Sequence, residues 1–123
     1  MTSMRSVFST MLVALGLLTA VSAQAEEWLT LRPQDLVQYE ITQANTVNNA
    51  AEGLYIKHVG LFQPTTFTCA RKDFVMIGGD ARVVNRALAT LMFAIANNKT
   101  IQFWATGCNT AYIEAKNLML INQ

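Results

Sequence analysis

Serine stops at Ser22 in this chain of 123 residues, and everything beyond is built without it. Serine-based catalysis, which needs the hydroxyl beside an oriented base, is therefore excluded for residues 26–123. Histidine occurs once, as His58. A general base needs a partner that orients it, so a lone His in a strand reads as structural. Cysteine occurs twice, at Cys69 and Cys108, with no Cys-x-x-Cys pair and no second His to complete a zinc set. There is no glycine-rich phosphate loop. Gly78-Gly79 precedes a helix but lacks the further glycines and the Lys-Ser/Thr of a P-loop, so it reads as a turn and cap. Asp73 and Glu114 are carboxylates that nothing in the spacing brings together. These lacks point away from an enzyme and towards a chain with no cofactor and no metal.

Charge is also scarce, with Asp, Glu, Lys and Arg making up 14% of the residues. Arg5, the apolar run 7–21 and the Ala23-Gln-Ala25 sequence form the three parts of an export signal over residues 1–25. The run is shorter than the roughly 20 apolar residues that span a bilayer, so no membrane span is expected after cleavage. The expected location is periplasmic or secreted. Removing Arg5 from the nine basic residues leaves eight, equal to the eight acidic ones. Such a balance gives nucleic acid nothing to hold. Residues 26–123 suit a single domain with a limited core. In an oxidising compartment Cys69 and Cys108 are expected to form one disulfide. Closing a loop of that length would contribute about 4 kcal/mol in the chain-entropy picture. A reactive thiol or a metal pair is the alternative.

Along the chain, residues 26–34 read as a loosely held start. Val37, Tyr39 and Ile41 alternate with Gln38, Glu40 and Thr42, a first strand. Residues 45–53 are a polar turn, 54–59 a second strand, and 60–64 a turn or bulge at Pro64. Residues 65–69 read as a third strand, 71–73 as a charged tip and 74–77 as a fourth strand. Asp80 can cap a helix on which Val84, Leu88, Leu91 and Ile95 recur at steps of three and four, beside Ala87 and Ala94. Met92 and Phe93 flank that face as core or subunit contacts. Asn97-Asn98-Lys99 closes the helix, because Asn tolerates the left-handed conformation. Residues 100–105 form a strand, 107–110 a turn, and 111–121 a last strand whose phase changes near Asn117, the mark of a bulge. The order is strands, one helix, two strands. It predicts a mostly β, α+β fold with one helix, an OB-like small Greek-key barrel plugged by Leu88, Leu91 and Ile95. The alternative is a sheet with the helix lying across one face.

The exported start, the strands, Cys69, the helix with Asn85-Arg-Ala-Leu88, the strand 101–105 and the Gly107-Cys108 turn carry a resemblance. So does Tyr112-Ile-Glu114-Ala-Lys-Asn-Leu118-Met-Leu120. Together they resemble the B (binding) subunits of pertussis-like and subtilase-cytotoxin AB toxins, over residues 54–122. The resemblance implies an OB-type fold, ring-forming subunits and glycan binding. The serine-rich stretch that contacts glycans in those toxins has no counterpart after Ser22.

Trp104 falls out of phase with Ile101 and Phe103, so it should point away from the core. An outward Trp beside a turn, with Asn109 and Tyr112 near in sequence, is an interface anchor, a sugar-stacking platform, or a cover for the far side of a small sheet. The function expected from these readings is an exported, non-catalytic binding module for a glycan or a protein, possible as a homo-oligomer. The alternative is a periplasmic structural, interaction or inhibitor protein with no small ligand.

Overall fold

The computed structural model describes residues 26–121, so the expected export signal lies outside the described residues. Within them are six strands and one helix: β1 (Glu27–Leu31), β2 (Leu36–Thr42), β3 (Gly53–His58), β4 (Arg71–Ile77), α1 (Ala81–Ala96), β5 (Thr100–Asn109) and β6 (Tyr112–Ile121). A single turn of 3-10 helix at Pro33–Asp35 joins β1 to β2. The class is the expected one, mostly β with one helix before the last two strands.

All six strands lie in one sheet, in the order β1-β5-β6-β4-β3-β2. β4 and β6 run parallel, and the other neighbours are antiparallel. The sheet is not closed, because β1 and β2 remain its two outer strands. A flat sheet would hold these five strand spacings apart, about 24 Å at about 4.8 Å each. The five residue steps from Leu31 to Leu36 reach at most about 18 Å. The sheet is therefore curled, and α1 packs inside the curl.

The inward rows of the strands supply Leu29, Leu54, Ile56, Val75, Phe103 and Ile113, and α1 supplies Val84, Ala87, Leu91 and Ala94 to the same core. Asp80 caps α1, its carboxylate accepting the backbone N–H of Val83 at 3.0 Å. Gly79, at φ 120°, turns the chain into that cap, a conformation that suits glycine. At the far end Asn98 takes the left-handed conformation at φ 53°. Ile95, expected on the sealing face, is 44% exposed instead, because Leu91 and Ala94 make the helix contact there. Met92 and Phe93 are also exposed. The phase change in β6 is present: Ala115 pairs with Ala105 and Asn117 with Trp104, leaving Lys116 as the extra residue.

Three local expectations are corrected. The start of the domain is not loose, since β1 pairs with β5 over its whole length, from Glu27 opposite Ala105 to Leu31 opposite Ile101. The turn expected at 107–110 is mostly strand; β5 runs to Asn109, with Gly107 at φ 140° absorbing an irregularity in register. Residues 65–69 form no strand. The Glu27 carboxylate captures that segment, accepting from the backbone N–H and hydroxyl groups of both Thr65 and Thr66. β4 accordingly starts earlier, and the expected charged tip is its first three residues. Cys69 and Cys108 form the expected disulfide, with Cα atoms 5.7 Å apart, and it pins the same segment to β5.

Two measurements follow from this packing. Leu91→Asp places an unpaired charge in the core and should abolish cooperative unfolding, whereas Arg86→Ala, on an exposed face, should leave the melting temperature within a few degrees. Equal melting temperatures would place the helix face elsewhere. Glu27 supplies the second. Burial alone would raise its pKa, but the hydrogen bonds from Thr66 and Thr65 outweigh it and hold the carboxyl below its ordinary 4.5. A lowered folded-state pKa stabilises the fold above the ordinary value, and that stabilisation is lost as pH falls through the folded value. The gap in melting temperature between wild type and Glu27→Gln should therefore be present at neutral pH and shrink below pH 4.5. A gap that is constant with pH would contradict this role.

Candidate functional site

The alternation that buries Leu29 and Phe103 sends their strand neighbours to the outer face of the sheet. There Trp28 of β1 lies directly opposite Trp104 of β5, and the next outward pair is Thr30 opposite Gln102. β6 extends both rows, with Asn117 opposite Trp104 and Met119 opposite Gln102. Two cross-strand rows therefore run over three strands: Trp28, Trp104, Asn117, and then Thr30, Gln102, Met119. Trp104 is half-buried and Trp28 is 45% exposed.

The patch is held from its edges. The Trp28 and Trp104 rings are 4.8 Å apart at an interplanar angle of 59°. Such aromatic cross-strand pairs contribute about 0.2–1 kcal/mol to sheet pairing. The Trp104 indole N–H donates to the Glu26 carboxylate at 2.7 Å, which fixes the ring's direction. The backbone N–H of Trp104 donates to Oδ1 of Asn117 at 3.1 Å, beside the Lys116 bulge. Gln102 donates to the Thr30 hydroxyl at 3.4 Å. The result is a tilted pair of indoles ringed by a carboxylate, two amides and a hydroxyl. Such groups can stack on the C–H face of a sugar ring and exchange hydrogen bonds with its hydroxyls.

Asn109 and Tyr112 lie at the other end of the same strands. Asn109 donates to the Glu114 carboxylate at 2.6 Å. Tyr112 is buried in a second cluster with Tyr55, Phe74 and Met76. Its hydroxyl donates to the carbonyl of Asn48, and that of Tyr55 to the carbonyl of Ala51, so the pair anchors the 43–52 turn. Burial, followed by electrostatic repulsion from the ionisable Tyr112 hydroxyl, pushes the Tyr55 hydroxyl pKa up. The Arg71 guanidinium stacks 5.5 Å from the rings of both Phe74 and Tyr112. Its hydrogen bond holds the Asp73 carboxyl below the usual range. Five residue steps along β5 separate Asn109 from Trp104, about 17 Å at about 3.4 Å per step. The two ends do not form one surface.

The remaining chemical candidates each have a local partner. His58 accepts from the backbone N–H of Gly60 through Nδ1 and lies 4.0 Å from Asp35 through Nε2. Asp73 pairs with Arg71, and Glu114 with Asn109 and Lys116, so each carboxylate is engaged by partners of its own. Among the described residues no group of three His, Cys, Asp or Glu could hold a metal ion, and no helix is long and apolar enough to cross a membrane. The residue that sequence reasoning missed is Trp28. Its signal was present, since Trp28 and Thr30 alternate with Leu29 and Leu31, but the run is only five residues long and stops short of Pro33. Comparison with protein-family models, with curated proteins and with solved structures returns no match for this chain.

Proposed function

We propose that this chain is an exported, non-catalytic binding module that recognises a glycan through the Trp28–Trp104 patch. The observation that carries the reading is the pair of cross-strand rows: two indoles side by side on the outer face, bordered by Glu26, Thr30, Gln102 and Asn117. A half-exposed indole pair costs solubility without adding to the core, so its place at the surface favours contact with a partner. A carbohydrate suits it, because a pyranose offers an apolar face to the ring and hydroxyls to the carboxylate and amides. The resemblance to toxin B subunits leads to the same ligand class, here met by tryptophan rather than serine. Asn109 and Tyr112, first grouped with Trp104, are left out of this surface because their side chains are engaged at the far end of the strands.

The second reading is a periplasmic or secreted interaction protein that uses the same indoles as an anchor in a protein partner or a second copy. The two readings separate in one set of variants. Under the glycan reading, wild-type protein binds a defined subset of a glycan array, and Trp28→Ala abolishes binding while lowering stability by at most about 1 kcal/mol. Sedimentation of the two proteins should match. If Trp28→Ala leaves array binding intact, the patch is not the sugar site. If it changes the sedimentation coefficient instead, the indole is a subunit anchor and the glycan reading fails.

A further inference from the structure

β2 carries an apolar row that the fold does not cover. By register, Tyr39 pairs with Ile56 and Ile41 with Leu54, so this row faces the same side as the core. Leu54 and Ile56 are fully buried, yet Tyr39 is 40% and Ile41 57% exposed. The reason is that α1 sits over β6, β3 and β5 and leaves a gap beside β2. Ile95, displaced from the sealing face of the helix, lines the other wall of that gap. The resulting groove has a volume of about 620 Å³, and its apolar walls include Leu36, Val37, Tyr39, Leu91, Ile95 and Ile101. Small-molecule sites occupy about 300–1,000 Å³ and are lined mainly by apolar and aromatic side chains with a few polar groups. This groove has that character and lies on the inner side of the sheet, away from the tryptophans.

Its charge identifies the occupant. Among the described residues, the charged ones lining it are two cations, Arg32 and Lys99. Arg32 is matched by Asp35, with Nε 2.8 Å from the carboxylate, whereas Lys99 has no ion pair among the described residues. We propose that the groove is a binding site for a single-chain carboxylate amphiphile, a fatty acid, with its acyl chain along Tyr39 and Ile95 and its head at Lys99. An acyl chain covers Val37 and Tyr39 of β2 where the helix leaves them bare, and the carboxylate supplies the charge Lys99 lacks. A cationic or neutral chain of the same length meets the same walls without that second contact. This site is independent of the glycan reading, since neither tryptophan lines it.

The test is calorimetric titration with laurate below its micelle concentration, beside dodecanol and dodecyltrimethylammonium. Saturable binding of one laurate per chain is expected, at least about tenfold tighter than either analogue. Lys99→Gln should remove that preference, and Ile95→Glu, at an exposed position that the fold tolerates, should abolish laurate binding with the melting transition retained. The preference between analogues is read on wild-type protein, so it stands even if a variant misfolds. No laurate binding, or equal affinity for the cationic chain, overturns the proposal. A dimer that Ile95→Glu dissociates and laurate leaves intact also overturns it, since the groove is then filled by a second copy.

Discussion

The short connection between β1 and β2 is the constraint on which the rest of the fold depends. Two consecutive strands sit at opposite ends of a six-stranded sheet, joined by one 3-10 turn at Pro33–Asp35. The turn cannot span a flat sheet, so the sheet curls. Curling gives the sheet an inner face that a single helix can fill, which is how a small domain with one 16-residue helix buries a core of this size. The Arg32–Asp35 pair and the approach of His58 to Asp35 hold the turn between the outer strands. The same curl leaves two surfaces with different chemistry. The outer face of β1 and β5 presents indoles and polar groups, and the inner side of β2 presents an uncovered apolar row.

What the sequence made legible was local. Helix α1 could be read with its cap, its left-handed stop and most of its buried face, because period, Asp80 and Asn98 all act within a few residues. The β6 bulge was legible because Ala115 and Leu118 change phase within one strand. The disulfide followed from cysteine count and an expected oxidising compartment. The unread features depend on contacts far apart in the chain. Thr65 and Thr66 have strand propensity, yet the carboxylate of Glu27, 38 and 39 residues away, accepts from their N–H groups instead. Ile95 has the right period for the core, but the placement of β2 decides whether anything meets it.

The candidate surface shows the same division. Trp104 could be placed outside the core from the phase of its own strand. Its partner could not, because Trp28 meets Trp104 only through a register set between segments 76 residues apart in sequence. Asn109 and Tyr112 are near Trp104 in sequence and on the same sheet face, but strand length carries them to another cluster, where Tyr112 serves the 43–52 turn. Sequence proximity along an extended strand is a poor guide to a shared site, since each residue adds about 3.4 Å.

The central claim is that partners meet this chain on the outer face of β1 and β5. Two-dimensional ¹⁵N–¹H spectra resolve the two indole N–H groups directly, and a panel of mono- and disaccharides can be titrated against them. The account predicts that a sugar from the panel shifts the exposed Trp28 indole most, with smaller shifts at Trp104 and in the Asn117 and Gln102 side-chain amides. Indole signals that stay fixed while the resonances of other regions move would contradict it.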